Sequence, residues 1–182
     1  RDRSPSRGLG DVYKRQGSMK MKKYKLFWKL GDADKNIIYK GFNDEEEYYS
    51  FLKKQFDDGY RQIIVSSEIM IELIKDFVIN QELKIYKIEF AEEDQSLIDD
   101  ISNLIDAVSA KPVKFNALIE KLLFLSQTSS IDISRIYISG RLKNGAAVDS
   151  YVQSNGIVAI SENIDNKILD RVSAIIERCL FG

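Results

Sequence analysis

The sequence predicts an α+β protein: a mixed sheet of about six or seven strands, covered by helices, in the order ββαβαβααβββα. Three observations lead there. Short stretches alternate apolar and polar residues between Gly, Asn and Asp turn signals, the mark of half-buried strands. Other stretches repeat apolar residues every three or four positions behind a Ser, Asn or Asp, the mark of amphipathic helices. The two kinds are interspersed, with three strands grouped near the end of the chain.

The elements follow in order. In Lys23–Leu30, Tyr24, Leu26, Trp28 and Leu30 share one face and Lys23, Lys25, Phe27 and Lys29 the other. Gly31-Asp32-Ala33-Asp34 turns the chain, and 36–42 returns as the second strand of a hairpin. Asn43 caps a helix, with Glu46 completing a capping box and Glu45–Glu47 suiting the helix dipole. Tyr48, Tyr49, Leu52 and Phe56 form its stripe and Gly59 ends it. A short strand at 61–66 leads to a helix capped by Ser66 or Ser67, with Ile69, Met70, Leu73, Ile74 and Phe77 on one side. The stretch 83–90 is a strand. Glu92-Glu93-Asp94 opens a helix with Leu97, Ile98, Ile101, Leu104, Ile105 and Val108 in register. Lys111-Pro112 interrupts it, because the residue before proline avoids the helical region. A helix at about 113–126 turns Phe115, Leu118, Ile119, Leu122 and Leu123 inward. Strands at 131–139, 146–153 and 157–160 follow, with Asn155-Gly156 as a strong hairpin signal. A last helix, about 163–180, carries Ile164, Ile168, Val172, Ile175 and Cys179, widened by Leu169, Ile176 and Leu180.

Residues 1–18 lack this logic. Asp11-Val12-Tyr13-Lys14-Arg15-Gln16 resembles a translated transposase-end sequencing adapter, so the segment reads as a non-native assembly remnant, with a natural start at Met19 or Met21. The remaining stretch, 19–182, fits a single domain, with 110–113 as the place where two lobes would part. Removing the segment's five basic and two acidic residues from the chain's 27 and 28 leaves 22 and 26, a net −4 in place of −1. Such a balance gives no reason to expect general affinity for nucleic acid.

Composition excludes more than it assigns. The chain has no histidine and one cysteine, Cys179, so it contains no Ser-His-Asp or Cys-His machinery and no Cys/His zinc site. No metal or cofactor is expected. No apolar run approaches a membrane span. The bias toward Lys, Ile, Asp, Glu, Asn and Tyr points to an AT-rich bacterial or phage genome, and the near absence of cysteine to the cytoplasm.

Three function classes remain. The first is binding of a protein partner, as an accessory or immunity-like module without catalysis, or self-association through Leu169, Ile176 and Leu180. The second is a metal-dependent nuclease: Glu82-Leu83-Lys84 matches the end of a restriction-type signature whose upstream acid would come from Asp57, Asp58 or Asp76. The third is single-stranded nucleic-acid binding by Lys23, Lys25, Phe27 and Lys29, with Phe27 exposed as a stacking surface. Lysines that guard an edge strand against aggregation explain the same pattern. Ser50-Phe51-Leu52-Lys53 has penicillin-binding spacing without the partner motifs, and the Cys179 tail ends in a glycine unsuited to prenylation.

Overall fold

The computed structural model describes residues 20–162 and 166–182, so the expectations for 1–18, for Met19 and for Ile164 lie outside the described residues. Alternation around Leu26 builds β1 (Met21–Lys29), paired in antiparallel register with β2 (Ile37–Phe42). Helix α1 (Tyr48–Asp57) and β3 (Tyr60–Gln62) follow, then α2 (Ser67–Lys75) and a π-helical turn (Asp76–Asn80). Next come β4 (Lys84–Phe90), α3 (Gln95–Ala110), a 3₁₀ turn (Pro112–Lys114) and α4 (Phe115–Gln127). The meander β5 (Ile133–Arg141), β6 (Ala147–Gln153) and β7 (Ile157–Ser161) leads to α5 (Lys167–Phe181).

The α+β class, the seven strands and the element order agree with the sequence reading, and the expected mixed sheet is antiparallel at every pairing. Strand order is β2-β1-β7-β6-β5-β4. One crossover helix would make β4 and β5 parallel. Two helices return the chain to the end where β4 stopped, so Phe90 pairs with Ile133 and the strands run antiparallel. On its other edge β1 is shared: Met21–Lys25 pair with β7 and Phe27–Lys29 with β3. At that fork Gly156 has φ +82°, and a side chain there would run into the Ile63 carbonyl.

The main core lies on one face of the sheet. Leu26, Ile88, Ile136, Ile138, Val152 and Val158 face helices α2 to α5. Helix α2 is its centre: Met70, Ile71, Leu73 and Ile74 are fully buried because the helix lies on β5 with α4 and α5 beside it. Ser66 caps it, accepting from the Ile69 amide, while Ser67 accepts from the Ile133 amide at 2.9 Å and ties α2 to β5. Both α3 and α4 contribute to this core, on either side of the Lys111-Pro112 break. Asp76 and Arg171 bolt α5 to the π turn, with Nε to Oδ2 at 2.9 Å and Asn80 supporting at 2.7 Å. Burial opposes ionisation of Asp76, but Arg171 and Asn80 outweigh it and hold the carboxyl below its ordinary range.

The stripe of α1 is rotated from the one the sequence suggested. Phe51 and Gln55 are buried, whereas Tyr49 and Phe56 are exposed. The helix starts later than expected: Glu47 is the cap, accepting from the Tyr49 and Ser50 amides, and Asn43 instead closes a preceding turn through the Glu45 and Glu46 amides. The inward face is set by Phe51, which packs on Phe27 and Phe42 of the sheet.

Candidate functional site

The second face of the sheet is divided. Helix α1 alone packs on it, at the β1–β2–β3 corner, where Phe51 meets Phe27 and stacks on Phe42 at 5.4 Å. Among the described residues no helix covers β4, β5 and β6 on that side. There the register sets out side chains in rows. Lys23, Ala159, Tyr151 and Tyr137 lie in line across β1, β7, β6 and β5. Arg135 lies opposite Gln153 on one side and Glu89 on the other. The ladder skips a residue between Ile85 and Lys87, a bulge that brings Tyr86 onto this face beside Tyr137.

The result is a half-exposed aromatic platform. Ring centroids are 5.6 Å apart for Tyr86 and Tyr137 and 5.7 Å for Tyr137 and Tyr151. Arg135 spreads over the pair, 4.4 Å from the Tyr151 ring and 5.6 Å from Tyr137. The head groups of Arg135, Tyr137 and Tyr86 each have a partner. Arg135 donates to the Tyr137 hydroxyl at 2.8 Å and to Gln153 at 2.7 Å. Tyr137 donates to Glu89 at 2.6 Å, and Tyr86 donates to Asp149 at 3.2 Å. Lys87 lies 3.4 Å from Glu89, and Lys23 lies 2.8 Å from Asp44 beyond the far end of the row.

Burial sets the protonation of this network. It pushes the Tyr86 and Tyr137 hydroxyls above their ordinary values, as do Asp149 and Glu89 beside them, so both tyrosines stay protonated donors near neutrality. Burial also raises the Asp149 carboxyl, against the opposing hydrogen bond from Tyr86. Glu89 is held low: burial opposes its ionisation, but Tyr137 and Lys87 prevail. Lys23 and Lys87 pair with Asp44 and Glu89, while Arg135 and Asp149 are held by the neutral Gln153 and Tyr86, so these acidic and basic groups are equal in number.

The residues singled out from sequence fall as follows. Lys23, Lys25, Phe27 and Lys29 share a face, but Phe27 is buried under Phe51 and Tyr60, a correction to its expected exposure. Lys25 is fully buried, donates to the Asn155 carbonyl and sits 5.8 Å from the Tyr48 ring; burial draws its pKa down to about 8. Lys29 lies 5.7 Å from the Tyr60 ring. Of this face, Lys25 and Phe27 are therefore covered at the α1 corner, and Lys29 is exposed.

Glu82 and Lys84 are exposed at the start of β4. Asp76, one candidate third acid, is engaged by Arg171, and among the described residues no three acidic, His or Cys side chains gather to hold a metal. Leu169 and Ile176 are fully buried against the sheet and α2, which corrects their assignment to an interface; Leu180 is exposed. Cys179 is exposed too, not a core residue, because it lies past the part of α5 that the sheet covers. The platform residues Tyr86, Arg135, Tyr137, Asp149, Tyr151 and Gln153 were missed. Their signal was present: Arg135-x-Tyr137 and Tyr151-x-Gln153 occupy the polar positions of two recognisable strands.

Comparison with family models, with curated proteins and with solved structures finds no match to this chain. Among the described residues no helix is long and apolar enough to cross a membrane.

Proposed function

We propose that this chain acts by binding a protein partner through the open half of its sheet, without chemistry of its own, as an accessory or immunity-like module of a bacterial or phage cytoplasm. The observation that carries the reading is the platform of Tyr86, Tyr137 and Tyr151 with Arg135 laid across it. Tyrosine and arginine are the residue types that concentrate binding energy in protein interfaces. Tyrosine brings large contact area at the cost of few rotatable bonds. The hydrogen bonds of Arg135 and Tyr137 fix both side chains in place, so little order remains to be imposed on association.

Charge separates this reading from the nucleic-acid one. Affinity for a phosphate backbone comes from unpaired lysine and arginine. Here Lys23 and Lys87 are each ion-paired with a carboxylate, while Arg135 is laid flat and held by Tyr137 and Gln153, so the platform offers few free cations to a phosphate backbone.

The test is Tyr137→Ala and Tyr151→Ala, singly and together. A partner captured by the wild type is purified and titrated against each variant, with circular dichroism as the control for folding. Loss of at least about thirtyfold in affinity in the double variant, roughly 2 kcal/mol, is expected for central aromatic anchors. Unchanged affinity moves the interface elsewhere. Steeply salt-dependent binding of a single-stranded oligonucleotide, abolished by the same substitutions, replaces a protein partner with nucleic acid. Mg²⁺-dependent cleavage abolished by Glu82→Ala replaces both with the nuclease.

A further inference from the structure

A cavity of about 220 Å³ lies where the π-helical turn, the start of β4, the end of α3 and the start of α4 meet. Ile85, Ile105, Phe115 and Leu118 wall it, each nearly fully buried. Its exposed lining residues include Glu82, Lys84 and Ser109. Glu82 and Lys84, the residues of the nuclease motif, thus both border this hollow.

The backbone around this space is irregular on three sides. Val78 belongs to the π turn, a form that is rare and concentrated at functional sites. Glu82 adopts φ +54°, a left-handed conformation that a residue with a side chain holds only when its surroundings enforce it. Pro112 breaks the path from α3 to α4 with a 3₁₀ turn. Regular backbone would carry none of these departures, and they converge on one apolar hollow.

We propose that this cavity is a binding site for a small, uncharged, mostly hydrocarbon molecule bearing one polar head. Size gives the first limit. An apolar cavity of about 150 Å³ takes up benzene, so about 220 Å³ suits a bicyclic aromatic or a chain of about six to eight carbons. The walls give the second, since the side chains of Ile85, Ile105, Phe115 and Leu118 are apolar and offer a polar body no partner. Desolvation gives the third. An ion of either sign entering between these apolar side chains gives up its hydration with no side-chain partner to replace it. The Ser109 hydroxyl, which donates to the Ile105 carbonyl at 3.3 Å, keeps acceptor capacity for an N–H or O–H at the mouth.

The test uses indole as the probe, with benzoate and benzylammonium as charged counterparts, in calorimetric titration and amide-shift mapping of the intact chain. Indole is expected to bind saturably, to shift the amides of 82–85 and 105–109, and to bind at least tenfold more tightly than either ion. Val108→Phe, which fills the hollow from a half-buried wall position, is expected to weaken indole at least tenfold without lowering the melting temperature. Ser109→Phe, at an exposed position, provides a second obstruction should Val108→Phe fail to fold. The proposal is overturned by the absence of saturable indole binding up to several millimolar, by binding that survives both substitutions, or by equal affinity for the ions. It is equally overturned by shifts that appear in this cavity only when a protein partner is added, which would make the occupant a partner's side chain.

Discussion

Lys25 gives the sharpest test of the packing under α1. It is fully buried, and its ammonium has one hydrogen-bonding partner, the Asn155 carbonyl. Burial draws its pKa from an ordinary 10.5 to about 8, which at 1.36 kcal/mol per unit corresponds to about 3 kcal/mol against the charged form. The sign follows from proton counts. Between pH 8 and 10.5 the unfolded chain keeps the Lys25 proton while the folded chain releases it, so stability rises with pH across that window. Two other sets of groups pull the opposite way. Burial raises the Cys179 thiol above its ordinary 9.0, so its contribution is lost as pH rises through the folded value. Raised hydroxyls at Tyr39, Tyr48, Tyr86 and Tyr137 begin to subtract near pH 10, where the unfolded tyrosines ionise. The measurement is therefore urea unfolding of a Cys179→Ser background, followed by Trp28 fluorescence, between pH 8 and 9.5. Unfolding free energy is expected to climb by about 1–2 kcal/mol, and Lys25→Met is expected to remove the climb. At pH 7 the methionine variant gains from losing a desolvated charge and loses a donor to a buried carbonyl, a penalty of about 1–3 kcal/mol, so the slope discriminates where the absolute stability does not. A flat or falling profile in the Lys25 protein, or a slope that persists in the methionine variant, refutes the buried-ammonium reading.

Two further outcomes test the core. Arg171→Ala leaves the buried Asp76 carboxylate without its main partner and should cost about 3 kcal/mol in urea unfolding. Because Arg171 holds the folded pKa of Asp76 low, the stability it supplies is present above the ordinary carboxylate range and is lost as pH falls through the folded value; the variant should lose less on acidification than the wild type. Ile176→Glu, at a fully buried position, should unfold the chain by circular dichroism; a folded variant that has merely lost self-association would restore α5 as an interface.

The order of elements was legible because each rests on a local signal that the fold does not override. Asp94 as a helix cap, the stop at Lys111-Pro112 and the Asn155-Gly156 hairpin are decided within a few residues of chain. The inward faces of α2 and α3 were legible for the same reason, their periodicity being clean. What failed depended on partners distant in sequence. Phe27 reads as exposed in β1 because nothing local announces that Phe51 will cover it. Leu169 and Ile176 read as surplus width on the last helix because its burial against both the sheet and α2 is a tertiary fact. The tyrosine platform was half legible: strand alternation places Arg135 with Tyr137, and Tyr151 with Gln153, but only the antiparallel register joins the two pairs, and only the β4 bulge adds Tyr86.

How the helices divide between the sheet faces explains where a binding surface is possible. Helices α2 to α5 lie on the face that carries Leu26, Ile136, Ile138 and Val158, and burial there supplies most of the apolar area removed from water. Only α1 remains for the other face, and its ten residues reach no farther than the β1–β2–β3 corner. An uncovered sheet face built of Val, Ile and Leu would be an aggregation hazard. A face of small polar residues would avoid the hazard and leave nothing to bind with. The residues present on β4–β6 do neither: Tyr86, Tyr137 and Tyr151 present broad rings, while Arg135, Glu89, Asp149 and Gln153 hold their neighbours by hydrogen bonds. Solubility alone asks for charge at these positions and gives no reason for three rings in contact, or for an arginine spent on flattening itself against two of them. The protein partner proposed above would give that reason, because rings and a guanidinium already fixed in place lose little freedom when a second protein covers them.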